Sequence, residues 1–238
     1  MKLRVILGVG VVAVIAAAFF GYKIFSSKGL DTGAPLLASA VVDGRIALVD
    51  DNFSTDALPA GWLHRTFWRI TPTQYSLSEI DGRSALHCTT DNSGSILIRD
   101  TAIPLADFPI LNWSWKIDKP LSSNIDEETH EGDDHPARFF VVFESGETST
   151  AAEIIWSNTR FTPGDYKIID GFHHLVANGL DENVGIWFDQ TVDLEALYRK
   201  ISGRTDTAEI AALGFFCDSD NTGGSTSAYF SDVRLETR

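Results

Sequence analysis

The run Asn112-Trp113-Ser114-Trp115-Lys116-Ile117-Asp118 alternates apolar and polar residues without a break. Only an extended strand puts Trp113, Trp115 and Ile117 on one face and Asn112, Ser114, Lys116 and Asp118 on the other. Shorter runs of the same kind recur along the chain: Arg65–Ile70, Gln74–Ile80, Ser84–Thr90, Ser95–Arg99, Ala137–Glu144 and Ala152–Ser157. Tyr166–Asp170, His173–Ala177, Gly185–Asp189, Glu209–Cys217 and Ser227–Glu236 continue the series. Turn-forming pairs such as Asp81-Gly82 and Asn178-Gly179 separate them. Val192–Ile201 alone carries a helical stripe, of Leu194, Leu197, Tyr198 and Ile201, with Gly203 as its stop. The expected fold is all-β: a two-sheet antiparallel β-sandwich of jelly-roll type with one short helix and a core rich in Trp and Phe.

The N-terminus is built differently. Lys2 and Arg4 precede an apolar run from Val5 to Tyr22, followed by Lys23 and Lys28. Residues 1–25 read as a signal anchor, forming an N-terminal membrane helix, or as a cleavable signal peptide. Residues 26–44 read as a flexible tether and residues 45–238 as the sandwich domain. The domain is expected to be exported, facing the periplasm from the bacterial inner membrane, or secreted if the signal is cleaved. Cys88 and Cys217 suit that oxidising compartment, and their alternation phase points both inward. They are read as buried thiols, or as a disulfide if their strands are neighbours. With 33 acidic against 19 basic residues the chain carries a formal charge of −14, which argues against nucleic-acid binding.

Three constellations could carry chemistry. Asp218-Ser219-Asp220-Asn221-Thr222-Gly223-Gly224 starts like a calcium loop, but Tyr229 stands where an EF-hand needs its bidentate Glu. It reads either as an Asx-rich turn or as part of a Ca²⁺ site with Asp218 and Asp220 as ligands. The segment Asp126 to Glu131 reads as a mobile acidic loop, whereas Gly132-Asp133-Asp134-His135-Pro136-Ala137-Arg138 places two carboxylates at a strand start, with Arg138 in reach of a carboxylate. Glu144 and Glu153, on successive strands, are a candidate catalytic pair for glycoside hydrolysis, with the Asp133–Asp134 pair as the alternative. His173 and His174 are expected at a strand surface. Trp113, Trp115 and Trp156 are assigned to the core, with Trp62, Trp68 and Trp187 left as candidate sugar platforms.

Leu111-Asn112-Trp113-Ser114-Trp115-Lys116, Gly132 to Arg138 and Asp218-Ser219-Asp220-Asn221-Thr222 together resemble a bacterial family of exported or membrane-attached proteins, DUF3047. Phe143, Trp156 and Tyr229-Phe230-Ser231-Asp232 follow in the expected order, and the resemblance covers about residues 50–238. It implies a β-sandwich and export, and no reaction. The leading expectation is an envelope binding module for a glycan or other polar ligand. Asp133, Asp134, Arg138, Asp218, Asp220 and Asn221 are predicted to meet at one rim. A polysaccharide hydrolase or lyase, and a structural component of an envelope complex, are the alternatives.

Overall fold

The computed structural model describes residue 30 and residues 32–238. The predicted signal anchor lies outside the described residues. Among the described residues no helix is long and apolar enough to cross a membrane.

The described chain forms β1 (Leu36–Leu37), β2 (Arg45–Ala47), β3 (Trp62–Thr66), β4 (Gln74–Ile80), β5 (Arg83–Asp91), β6 (Gly94–Pro104) and β7 (Ile110–Lys119). These are followed by β8 (Arg138–Ser145), β9 (Thr148–Ser157), β10 (Tyr166–Ile169), β11 (Phe172–Gly179) and β12 (Phe188–Asp193). The one α-helix among the described residues, α1 (Leu194–Ser202), then precedes β13 (Glu209–Asp218) and β14 (Ser225–Glu236). The large sheet runs β1-β6-β13-β8-β9-β11-β10, with β3 sharing the β6 edge. The small sheet runs β12-β7-β14-β5-β4, with β2 on the end of β14. Two-sheet, mostly antiparallel architecture follows from the alternation. Two pairings are parallel, β9 with β11 and β1 with β6, where an antiparallel arrangement was expected. Chain reversal through β10 causes the first: β10 and β11 form an antiparallel hairpin that swings back beside β9.

The core fills the space between the sheets. Trp113 and Trp115 of β7 meet Phe139 of β8 and Trp156 of β9 at ring separations of 5.1 and 5.7 Å. Phe230 of β14 stands 5.1 Å from Phe215 of β13, edge to face, the arrangement that suits aromatic quadrupoles. Cys88 and Cys217 are bridged, with Cα atoms 6.5 Å apart. Their strands are not neighbours in one sheet; β5 and β13 face each other, so the bond ties the two sheets together. Asp193 caps α1 by accepting from the Ala196 N–H at 3.0 Å, and Gly203 closes it in the left-handed region at φ 67°. Asp193 and Val192 belong to β12, which shortens the helix predicted from residue 192.

The predicted tether is fixed from Thr32 onward. Thr32 donates through its N–H and hydroxyl to Asp100, and Leu36 and Leu37 pair with Thr101 and Ala102. Backbone pairing, which composition does not report, decides this stretch.

Candidate functional site

The site grows from one end of the large sheet. On β8, Phe139, Val141 and Phe143 enter the core, so Arg138 and Phe140 point the other way. Strand register then builds a row on that outer face. Glu153 of β9 stands opposite both Phe140 and His174 of β11, and His174 stands opposite Lys167 of β10. Asp133, on the loop before β8, closes over the row.

Arg138 is buried, and both of its terminal nitrogens are engaged, while its Nε has no hydrogen-bond partner among the described residues. Its Nη1 donates to Glu153 Oε2 at 2.6 Å, and its Nη2 contacts Asp218 Oδ2 and donates to the Asp133 carbonyl at 3.1 Å. Phe216 lies under the guanidinium, 4.0 Å from ring centre to carbon. Lys167 Nζ reaches the Glu127 carbonyl at 2.7 Å, Asp133 Oδ1 at 3.0 Å and His135 Nε2 at 3.2 Å. Because His135 Nδ1 faces the Trp156 carbonyl at 2.9 Å, that nitrogen carries the proton and Nε2 accepts from Lys167. His174 has the reverse task. Its Nδ1 faces the Phe172 carbonyl at 3.1 Å, and its Nε2 lies 3.2 Å from Glu153 Oε2 and 3.3 Å from Asp133 Oδ2, so both nitrogens carry protons.

The electrostatics agree. Burial alone would depress His174, but the Glu153 charge and the Asp133 carboxylate raise its pKa to about 8. Burial would raise Glu153, yet Arg138 and then His174 hold it at about 2. Burial likewise works against ionised Asp133, and the protons of His174 and the charge of Arg138 overcome it, holding that carboxyl far below the usual range. His135 is lowered chiefly by its own burial, with Lys167 and Arg138 adding to the effect, and stays neutral.

A second, acidic half adjoins this paired half. Asp134 accepts from the Thr222 N–H and hydroxyl, both at 2.7 Å, and from the Asn221 N–H at 3.3 Å. Asp218 Oδ1 accepts from the His135 N–H at 2.8 Å, while Asn221 Nδ2 donates to the His130 carbonyl at 2.7 Å. Asp134, Asp218 and Asp220 each offer an oxygen within 4.8 Å of the others. Gly94 makes room for them, because a Cβ there would stand 2.4 Å from Asp220 Oδ1. Burial pushes Asp218 and Asp220 upward, and the Asp134 charge pushes both further, against the pull of Arg138. In total three cations, Arg138, Lys167 and His174, face five carboxyl groups.

The two motifs, some 80 residues apart in sequence, therefore meet through Arg138–Asp218 and Asp134–Thr222. Their predicted exposure needs correction. Asp134, Arg138 and Asp218 are buried, and only Asp133 (side chain 17% exposed), Asp220 and Asn221 reach the surface. The predicted mobile acidic loop is anchored: the Glu127 carboxylate is buried and accepts the N–H groups of Asn158, Thr159 and Arg160. The Glu144–Glu153 pair fails on distance. Glu153 pairs with Phe140 and Glu144 with Ser149, four residues further along the ladder. That is about 14 Å at strand rise, beyond the roughly 5–9.5 Å separations of glycosidase carboxylates.

Lys167, His135, His174 and Glu127 escaped the sequence reading. His174, expected at the surface, is buried against Glu153. The only sequence signal was its period-two phase with buried Val176, and the β9–β11 register that supplies its partner is not local. Trp62 packs on Phe53 and Phe215, which leaves Trp68 (81% exposed) and Trp187 as accessible indoles.

Among solved structures, the chain is similar to the glycoside hydrolase domain of Endo-D from Streptococcus pneumoniae R6 (11% identity, TM-score 0.37, 74% of this chain). It spans about a fifth of that structure's length, 21%. The xyloglucanase domain of NopAA, a type three effector from Sinorhizobium fredii solved with cellobiose, aligns at 13% identity and TM-score 0.40 over 78% of this chain and 96% of its own. A K85A mutant of CBM29-2, a family 29 carbohydrate binding module, aligns at 11% identity and TM-score 0.36 over 81% and 91%. No curated protein matches. A family model described as a protein of unknown function, DUF3047, matches residues 60–234, a narrower span than the 50–238 expected from the motifs. That match takes in both converging motifs, and the chain belongs to this family.

Proposed function

We propose that this chain is an exported binding module on a jelly-roll-type sandwich, facing the periplasm from the inner membrane or released there. It receives a hydroxyl-rich, glycan-type ligand at the rim formed by Asp133, Asp220 and Asn221. The observation that carries this reading is the excess of five carboxyl groups over three cations where the two motifs converge. Buried carboxylates are stable only with counter-charge, hydrogen-bond donors or a proton. Sugar hydroxyls supply donors, and Ca²⁺ supplies charge to a hard oxygen set such as Asp134, Asp218 and Asp220. Asp134 and Asp218 are pinned by protein donors, so Asp220 is the carboxylate left to face a ligand.

A hydrolase or lyase finds less support. Glu153 is buried and locked between Arg138 and His174, and Asp133, the carboxylate beside it, is itself held by Lys167 and His174 rather than free to act as acid or base. The test is a glycan array probed with the full chain, in Ca²⁺ and in chelator, for wild type, Asp220→Asn and Asn221→Ala. The reading expects at least tenfold weaker binding by both variants. Equal binding by wild type and variants would overturn it, and release of shortened product would restore the enzyme reading.

A further inference from the structure

The outer face of the small sheet presents a separate constellation. Tyr229 of β14 pairs laterally with His87 of β5 and Lys116 of β7. The His87 and Tyr229 rings stack 4.2 Å apart and 9° from parallel. Trp187, just before β12, stands 6.4 Å from Tyr229. Its indole N–H donates to Asp81 Oδ2 at 3.0 Å, the same oxygen that accepts from Lys116 Nζ at 2.8 Å. Arg83 lies over the Trp187 ring at 5.1 Å and donates to Ser114 Oγ at 3.1 Å.

Three features set this surface apart from an ordinary solvated sheet. First, its rings are only half-buried, so apolar ring area faces water in a row rather than singly. Second, the Tyr229 hydroxyl has no hydrogen-bond partner among the described residues, and its lateral strand neighbours are His87 and Lys116. Third, Lys116 and Arg83 are matched by Asp81 and Asp189, and Asp118 adds a negative charge beside His87, so the patch carries no excess of positive charge. A pyranose ring matches this pattern. Its C–H face packs on aromatic rings and its equatorial hydroxyls both donate and accept. The absence of excess positive charge selects against an acidic polymer.

We infer that the outer face of the small sheet, centred on Trp187 and Tyr229, binds a chain of neutral pyranose sugars. The five strands span about 20 Å, enough for a short oligosaccharide lying across them. This rests on the hydroxyl-rich ligand class proposed above but places the sugar chain on a second surface, independent of the Asp220 rim.

The experiment titrates cellohexaose, mannohexaose and xylohexaose, with an alginate hexamer as the acidic control, into the full-length chain in detergent. Wild type is compared with Trp187→Ala, Tyr229→Ala, the milder Tyr229→Phe, and Asp220→Asn, with Tm recorded for each. The expected result is that at least one neutral hexamer binds more tightly than the alginate hexamer. Tenfold or greater weakening by Trp187→Ala and Tyr229→Ala at unchanged Tm, with a smaller loss for Tyr229→Phe, completes the pattern. If wild type binds no neutral hexamer, or binds it undiminished in both alanine variants, the inference is overturned. Loss confined to Asp220→Asn would assign the sugar to the rim alone. Loss confined to the face variants would uphold the inference while the rim reading fails.

Discussion

Aspartate, arginine, lysine and histidine occupy both the end of the large sheet and the outer face of the small one, under opposite conditions. Arg138 is buried and contacts two carboxylates and a ring, whereas Arg83 is exposed and rests on a single indole beside Asp189 at 3.8 Å. His174 lies between two carboxylates and keeps its charge, while burial lowers His87, which bonds Ser227 Oγ. The contrast teaches that the same residue types fix a structure when buried and leave a surface available when solvated. Removing one member of a buried ion pair strands its partners, and removing an exposed one leaves them to water.

The largest effect should come from Arg138→Met, which abandons Glu153 and Asp218 in the interior. Urea denaturation should show a loss of about 3–5 kcal/mol, against less than about 1 kcal/mol for Arg83→Met on the other surface, where the side chain is exposed. Equal losses would erase the contrast. Next comes the Cys88→Ser/Cys217→Ser pair, which frees the two sheets from each other. A bridge spanning 129 residues should cost about 2–5 kcal/mol when removed, and an unchanged denaturation midpoint would show that the sheets are held by packing alone.

The pH dependence sharpens the contrast further. His174 is raised from 6.5 to about 8, so its stabilisation is fully present below pH 6.5 and is lost as pH rises through 8. The stability gap between wild type and His174→Gln should therefore narrow by about 2 kcal/mol across that window. The matching gap for His87→Gln, a group that burial lowers, should not narrow there. A constant His174 gap would mean that the imidazole is neutral.

How much was legible beforehand follows from which forces are local. Alternation around Trp113 and Trp115 located β7, and turn chemistry at Asp81-Gly82 separated β4 from β5, because strand period and turn preference are properties of neighbouring residues. Convergence of Gly132–Arg138 with Asp218–Thr222 was expected from the family resemblance and from polar groups at strand ends, not from any local pattern. Their burial was not legible. Whether Asp134 and His174 meet water depends on which strands lie beside β8 and β9, and the parallel return of β11 is set by the whole sheet. The bridged cysteines show the same limit: phase pointed both inward, but only the stacking of β5 over β13 joins them.

The smallest structural perturbation gives the most direct test of the rim. Asp220→Asn removes one partly exposed charge and leaves the Arg138 network intact, and calorimetric titration of Ca²⁺ into the full-length chain reads the result. If the excess of carboxylates at the converging motifs recruits a cation, wild type should bind one Ca²⁺ and gain several degrees in Tm, with both effects weakened at least tenfold or lost in the variant. No heat, no Tm shift and no response to chelator in wild type would contradict the account.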